Sequence, residues 1–186
     1  MAGRPRTIDR DKVLDAAEDI VMAQGASGLT FDALAKAAGI TKGGLQYCFG
    51  TKENLIRAMI SRWSDGFEGE VKALAGPDPA PEALIRAHLR VTETDEIADH
   101  SRSAAMMTAL LERPDQVAST RDWYASRLAG LDLSRPEDRR TAVAFLAGEG
   151  AFLLKTLGLV KFSAKDWTAL FEDMQKLTAG VEQGSA

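Results

Sequence analysis

Thr30-Phe-Asp-Ala-Leu-Ala-Lys-Ala-Ala-Gly39-Ile-Thr41-Lys-Gly-Gly-Leu-Gln-Tyr-Cys-Phe49-Gly50-Thr-Lys52 reads as two short helices around a tight turn. Thr30 is an N-cap residue type, and Phe31, Leu34, Ala35 and Ala38 recur at helical spacing, which predicts a helix over 31–38 with one apolar face. Gly39 stops it, because glycine enters the left-handed conformation without steric cost. Ile40 plugs the corner, Thr41 caps a second helix that turns Leu45 and Phe49 inward, and Gly50 ends that one. Two helices joined this way form a helix-turn-helix, in which the second lies in the DNA major groove while the first crosses the backbone.

The flanks supply the rest of the predicted head. A helix starting near Asp9 carries Val13, Ala16, Ala17, Ile20 and Val21 on one stripe and closes at Gly25. That stripe is expected to pack on Phe31, Leu34, Leu45 and Phe49. A fourth helix starts at the Thr51 N-cap and runs through Leu55, Ile56, Met59, Ile60 and Trp63 towards Phe67 and Leu74.

Residues 9–56 resemble the N-terminal domain of the tetracycline-repressor (TetR) family of bacterial transcriptional regulators. The resemblance rests on Gln24-Gly25, Leu29-Thr30, Ala38-Gly39-Ile40-Thr41-Lys42-Gly43, Tyr47-x-Phe49 and Thr51-Lys52-Glu53-x-Leu55. Gln46 stands where an aromatic residue is common in that family, and Cys48 where histidine or an aromatic often is. These departures bear on base preference and not on the fold. The resemblance implies that ligand binding shifts the fourth helix and with it the spacing of two reading heads.

A chain of 186 residues, 45% hydrophobic and 27% charged, suits one compact unit or two small helical domains. No apolar run reaches membrane-spanning length, Met1 to Arg6 lacks a secretory apolar core, and a single cysteine forbids an intrachain disulfide. A cytoplasmic location without membrane attachment is expected. The net charge of -4 argues against a nucleic-acid partner only as an average. Residues 1–62 carry nine Lys and Arg against seven Asp and Glu, a balance of +2; residues 63–186 carry fourteen against twenty, a balance of -6. A positive module on an acidic body still binds phosphates where its cations sit. Arg4 and Arg6 suit an arm that reaches DNA, or a solvated tail.

Beyond Gly76 the sequence reads as a second helical domain. Gly76-Pro-Asp-Pro-Ala-Pro81 cannot continue a helix. Pro81 opens a helix with Leu84, Ile85, His88 and Leu89 inward; another carries Ala104, Met107, Leu110 and Leu111; Pro114 opens a third with Val117, Trp123, Tyr124, Leu128 and Leu131. Ser134-Arg-Pro-Glu137 matches a capping box for a helix to about Leu159, and Ser163 caps the last. No useful strand-like alternation occurs. The expected fold is all-α with about nine helices: a three-helix DNA-binding head over 1–50, a connecting helix over 51–75, and an effector-binding and dimerisation domain over 76–186.

Candidate DNA-contacting residues are Thr30, Thr41, Lys42, Gly43, Gln46, Tyr47 and Lys52. Gln46 suits a bidentate pair with adenine, Lys42 a guanine or a phosphate, and the helix N-termini phosphate oxygens. Gly43 and Gly44 permit close backbone approach. An effector cavity is expected to be lined by Trp63, Phe67, His88, Met106, Met107, Leu110, Trp123, Phe145, Glu149 and Phe152, with methionines and aromatics suiting an apolar ligand. His88 and Glu149 need polar partners, either a ligand or another side chain. The helix from Ser134 is apolar on two faces. One face, Val143, Leu146, Ala147, Gly150, Leu153, Leu154 and Leu157, is assigned with Trp167, Leu170, Phe171 and Met174 to a homodimer interface, monomer core being the other reading.

Two histidines and one cysteine are too few for a recognisable metal cluster or nucleophile pair, and Gly148-Glu-Gly150 lies within a helix without the third glycine of a dinucleotide fingerprint. No enzyme activity and no cofactor is expected. The expected function is a dimeric repressor of a pseudo-palindromic double-stranded operator, released by a small apolar effector; a helical ligand-binding or scaffold protein with a weak DNA-binding head is the alternative.

Overall fold

The computed structural model describes residues 8–94 and 114–179, in which eight α-helices and no strand occur. They are α1 (Arg10–Gly28), α2 (Phe31–Ala38), α3 (Lys42–Phe49), α4 (Lys52–Ala75), α5 (Pro81–Thr94), α6 (Pro114–Leu128), α7 (Pro136–Thr156) and α8 (Ala164–Thr178). The described residues fall into two compact units, 8–64 and 65–94 with 114–179. The expected helix over Ala104 to Leu111 lies outside the described residues. No described helix is long and apolar enough to cross a membrane.

Local chemistry sets the first unit. Thr30 Oγ1 accepts the Ala33 amide at 3.1 Å, and Thr41 Oγ1 accepts the Gly44 amide at 3.0 Å, so both threonines satisfy N–H groups that a helix start leaves unpaired. Gly39 sits at φ 65, ψ 32, and the Gly39 and Ile40 amides close on the Ala35 carbonyl. Gly25, at φ 74 and ψ 175, breaks α1 as expected, and a last helical turn follows it to Gly28. Val13, Ala17, Ile20 and Val21 of α1 are buried with Leu34, Leu45, Phe49, Leu55 and Met59. Burying side chains of this size is worth roughly 1.5–3 kcal/mol each, which holds α3 on a rigid support.

An ion cluster absent from the sequence reading stitches α1 to α4. Arg62 donates to Asp15 Oδ1 at 2.8 Å, to Glu18 Oε1 at 2.5 Å and to the Asp11 carbonyl at 3.2 Å. Glu18 is buried, so its pairing is what makes a carboxylate tolerable there.

In the second unit α5, α7 and α8 share one core of Ile85, Leu89, Ala144, Phe145, Ala151, Trp167, Phe171 and Met174. Gly148 lets α5 and α7 meet: a methyl there would lie 2.4 Å from Leu89 Cδ2. Arg86 Nε donates to Thr178 Oγ1 at 2.9 Å, and Trp167 Nε1 to the Glu93 carbonyl at 3.0 Å, tying both ends of α8 to α5.

Three expectations are corrected. Ser134 and Glu137 form no capping box: Arg135 is the N-cap without a side-chain cap bond, and Glu137 instead accepts from Arg135 at 2.6 Å. Pro136 presets the first helical turn, and Asp132 Oδ1 takes the Ser134 amide at 2.9 Å. The helix ends at Thr156, short of Leu159, because Gly158 turns the chain at φ 68. Trp167, Phe171 and Met174, assigned above to a dimer interface, are buried in the chain's own core, so they have no surface to offer a second copy.

Candidate functional site

Helix α3 presents Lys42, Gly43, Gln46 and Tyr47 to solvent while Leu45 and Phe49 are buried beneath it. Tyr47 is 91% exposed, an unusual state for an aromatic ring with no intrachain packing role. Thr30 and Thr41 are exposed at the starts of α2 and α3, so each hydroxyl serves as a cap at a place where backbone N–H groups also face outward. Lys52 is half-buried at the first position of α4.

The paired glycines differ. A methyl at Gly44 would lie 2.8 Å from Ile8 Cδ1, so packing against residue 8 accounts for that glycine. A methyl at Gly43 would meet nothing closer than Thr41 Oγ1 at 4.0 Å. Among the described residues nothing requires Gly43 to be small. At the other end of α3, Arg10 donates to the Cys48 carbonyl and stacks 4.4 Å from the Phe49 ring centre. Sequence reasoning missed this cation at the C-terminus of the exposed helix. Lys42 Nζ lies 3.0 Å from Asp32 Oδ2 of α2.

The second unit holds a polar cluster walled by rings. His88 Nε2 and Glu149 Oε1 are 2.6 Å apart, and Tyr124 donates its hydroxyl to the other oxygen, Glu149 Oε2. Phe67, Phe145 and Trp123 surround the imidazole with centroids 4.9, 5.0 and 5.7 Å away. Of the expected effector-lining residues, the structure therefore assembles Phe67, His88, Trp123, Phe145 and Glu149. Phe152 is buried on α7, Trp63 is a half-buried residue of the first unit, and Met106, Met107 and Leu110 lie outside the described residues.

Beside this cluster Trp123 Nε1 donates to Glu68 Oε1 at 2.6 Å, and buried Arg127 pairs with the same carboxylate. Tyr124, Glu68 and Arg127 were not singled out as site residues. The available signal was polar groups close to apolar ones in sequence, Glu68 next to Phe67 and Arg127 one helical turn after Trp123. Burial and the neighbouring Glu149 carboxylate push the Tyr124 phenol well up, so it stays protonated and donates. Among the described residues no group of three His, Cys, Asp or Glu is placed to hold a metal ion.

On α7 the second apolar face lies open. Val143, Leu146, Leu153 and Leu154 are exposed, with Leu146 at 59%, as are Leu157 just past the helix end and Leu170 and Leu177 of α8. Ala147 is exposed and Gly150 half-buried on the same helix, with nothing within 4 Å of a methyl at Gly150.

Residues 13–59 match the family described as bacterial regulatory proteins, tetR family, and residues 82–179 match the tetracyclin repressor-like C-terminal domain. The chain is 27% identical over 179 residues to the HTH-type transcriptional regulator BetI of Rhizobium meliloti (strain 1021), covering 89% of this chain and 87% of that one. It shares its fold with the fatty acid degradation regulator FadR of Bacillus halodurans at a TM-score of 0.69, with 16% identity over 97% of this chain and 99% of that one. It also shares it with the multidrug binding protein EbrR, solved with malachite green, at a TM-score of 0.62 and 22% identity over 94% and 98%.

Proposed function

Because the chain belongs to the TetR family and is thus a DNA-binding transcriptional regulator and not an enzyme, we propose that it is a homodimeric repressor of a two-fold symmetric operator, released by a small effector. The observation that carries the dimer is the open apolar face of α7, where four large aliphatic side chains, continued by Leu157 past the helix end, stand in solvent in the single chain. A surface helix of a monomer would not keep such a stripe uncovered. A second copy with the same face meets it isologously, and an isologous pair carries two reading helices related by a two-fold axis. Half-sites one helical turn apart, about 34–36 Å, or a multiple of it, then follow.

The residues proposed to touch DNA are Thr30, Thr41, Lys42, Gly43, Gln46, Tyr47 and Lys52. The residues proposed to meet the effector are Phe67, His88, Trp123, Phe145 and Glu149, a reading supported by their apolar ring cluster with convergent polar groups. EbrR, bound to malachite green, is an example of this fold taking a small aromatic molecule, and it supports the effector part of the reading. A cytoplasmic location accords with this role. Release requires the effector to bind one dimer shape more tightly than the other, since only differential affinity shifts the equilibrium.

The test is selection of bound sequences from a random duplex pool at about physiological salt, where non-specific phosphate contacts are weakened. Enrichment of an inverted repeat is expected. A folded, dimeric preparation that enriches nothing sinks the repressor reading.

A further inference from the structure

His88 is buried to 1% exposure, and its Nδ1 finds no hydrogen-bond partner among the described residues. Buried polar atoms left so are rare, and a missing partner is commonly a ligand or ordered water. The chemistry of the neighbours fixes what that partner must be. Glu149 receives two groups, one at each oxygen: the Tyr124 hydroxyl at Oε2 and His88 Nε2 at Oε1. A carboxylate only accepts, so His88 Nε2 carries a hydrogen and donates it. In the neutral ring Nδ1 is then a bare lone pair.

We propose that the effector is an aromatic molecule bearing an O–H or N–H donor, which it gives to His88 Nδ1 between the rings of Phe67, Trp123 and Phe145. Glu149 and Tyr124 act as positioning residues that hold the acceptor tautomer. The inference rests on the effector reading above and narrows it from an apolar ligand to a donor-bearing one. An anionic ligand is disfavoured twice, since a carboxylate brings no hydrogen to a bare nitrogen and would sit beside the Glu149 charge.

The full-length protein is titrated with β-naphthol, with its methyl ether and with β-naphthoate, following ligand and tryptophan fluorescence. These share one ring system and differ only in the polar group. The naphthol is expected to bind about tenfold more tightly than the ether, with the naphthoate weakest, the scale of one buried hydrogen bond. His88→Phe is expected to erase the preference for the naphthol. Nitrogen NMR of the wild-type ring, assigned with a His100→Gln variant, is expected to show hydrogen on Nε2 and a bare Nδ1 whose resonance moves when naphthol is added. Equal binding of all three, a preference for naphthoate, or hydrogen on Nδ1 overturns the donor inference while leaving an effector site in place. Failure of all three to bind sinks the effector reading and the inference with it.

Discussion

Lys42 Nζ sits 3.0 Å from Asp32 Oδ2, so the cation at the start of α3 is held by a carboxylate of α2 in the free protein. Both side chains are largely exposed, at 60% and 75%, and such a pair is worth about 0–1 kcal/mol. Lys42 is therefore free to leave Asp32 for a phosphate at little cost, and Asp32 is expected to lower DNA affinity without blocking it. Asp32→Asn is expected to tighten operator binding about two- to fivefold, and Lys42→Ala to reduce the salt slope of binding by about one. Binding isotherms at several salt concentrations measure both. An unchanged slope in Lys42→Ala means that this lysine meets no phosphate.

Gly43 separates stability from function. It lies in the first turn of α3 with open space where a side chain would go, so Gly43→Ala is expected to raise stability by roughly 0.5 kcal/mol and to weaken DNA binding. Gly44→Ala gains the same propensity but pushes on Ile8 Cδ1, leaving stability about unchanged. Thermal melts and binding isotherms of the two variants decide it. Full DNA affinity in Gly43→Ala would falsify close backbone approach at that position.

The open α7 face and the closed α8 face predict opposite phenotypes. Leu146→Asp places a charge on a side chain that is 59% exposed in the single chain, and is expected to give a folded monomer at micromolar concentration. Phe171→Ala empties a fully buried site and is expected to cost about 3–5 kcal/mol of stability. Sedimentation and denaturant unfolding distinguish them. A Leu146→Asp protein that remains dimeric moves the interface elsewhere.

What was legible in the sequence follows interaction range. Thr30, Gly39, Thr41 and Gly50 act through residues within a turn or so of themselves, and their caps and positive φ angles stand where the sequence reading put them. The Arg62–Glu18 and Arg127–Glu68 pairs join residues 44 and 59 positions apart, and each of these charges reads locally as a solvated helix face. Helix α8 failed for a related reason. Trp167, Phe171 and Met174 lie on one side and Leu170 and Leu177 on another, and periodicity shows apolar faces without saying which belongs to the chain's own core. The second polar cluster was half legible: His88 and Glu149 stood out on apolar stripes, but their shared contact needed α5 and α7 to meet at Gly148.

The start of α7 gives an acid-limb prediction. The Glu137 backbone N–H, and after it the Arg135 guanidinium, hold the Glu137 carboxyl below the usual carboxylate range. A depressed folded pKa contributes stability that is present above the unfolded value of about 4.3 and lost as pH falls through the folded value. Glu137→Gln is expected to be less stable than wild type at about pH 7 and to converge with it at about pH 3. Urea midpoints at the two pH values test this, and a gap that persists in acid would assign the loss to packing.

Gln46 carries the last prediction. It is exposed on the same α3 surface as Tyr47, and its backbone carbonyl closes the helix end by accepting the Gly50 amide at 2.9 Å, a role that any side chain keeps. Side-chain changes at this position therefore leave α3 intact. A glutamine amide offers a donor and an acceptor together, the pair that adenine presents in the major groove. Gln46→Ala is expected to lose discrimination at one base pair per half-site, at about 1–3 kcal/mol, with overall stability unchanged. Selection of bound sequences with the variant reads this directly: one symmetric pair of operator positions should become degenerate while the rest of the repeat persists, and an unaltered preference removes Gln46 from base reading.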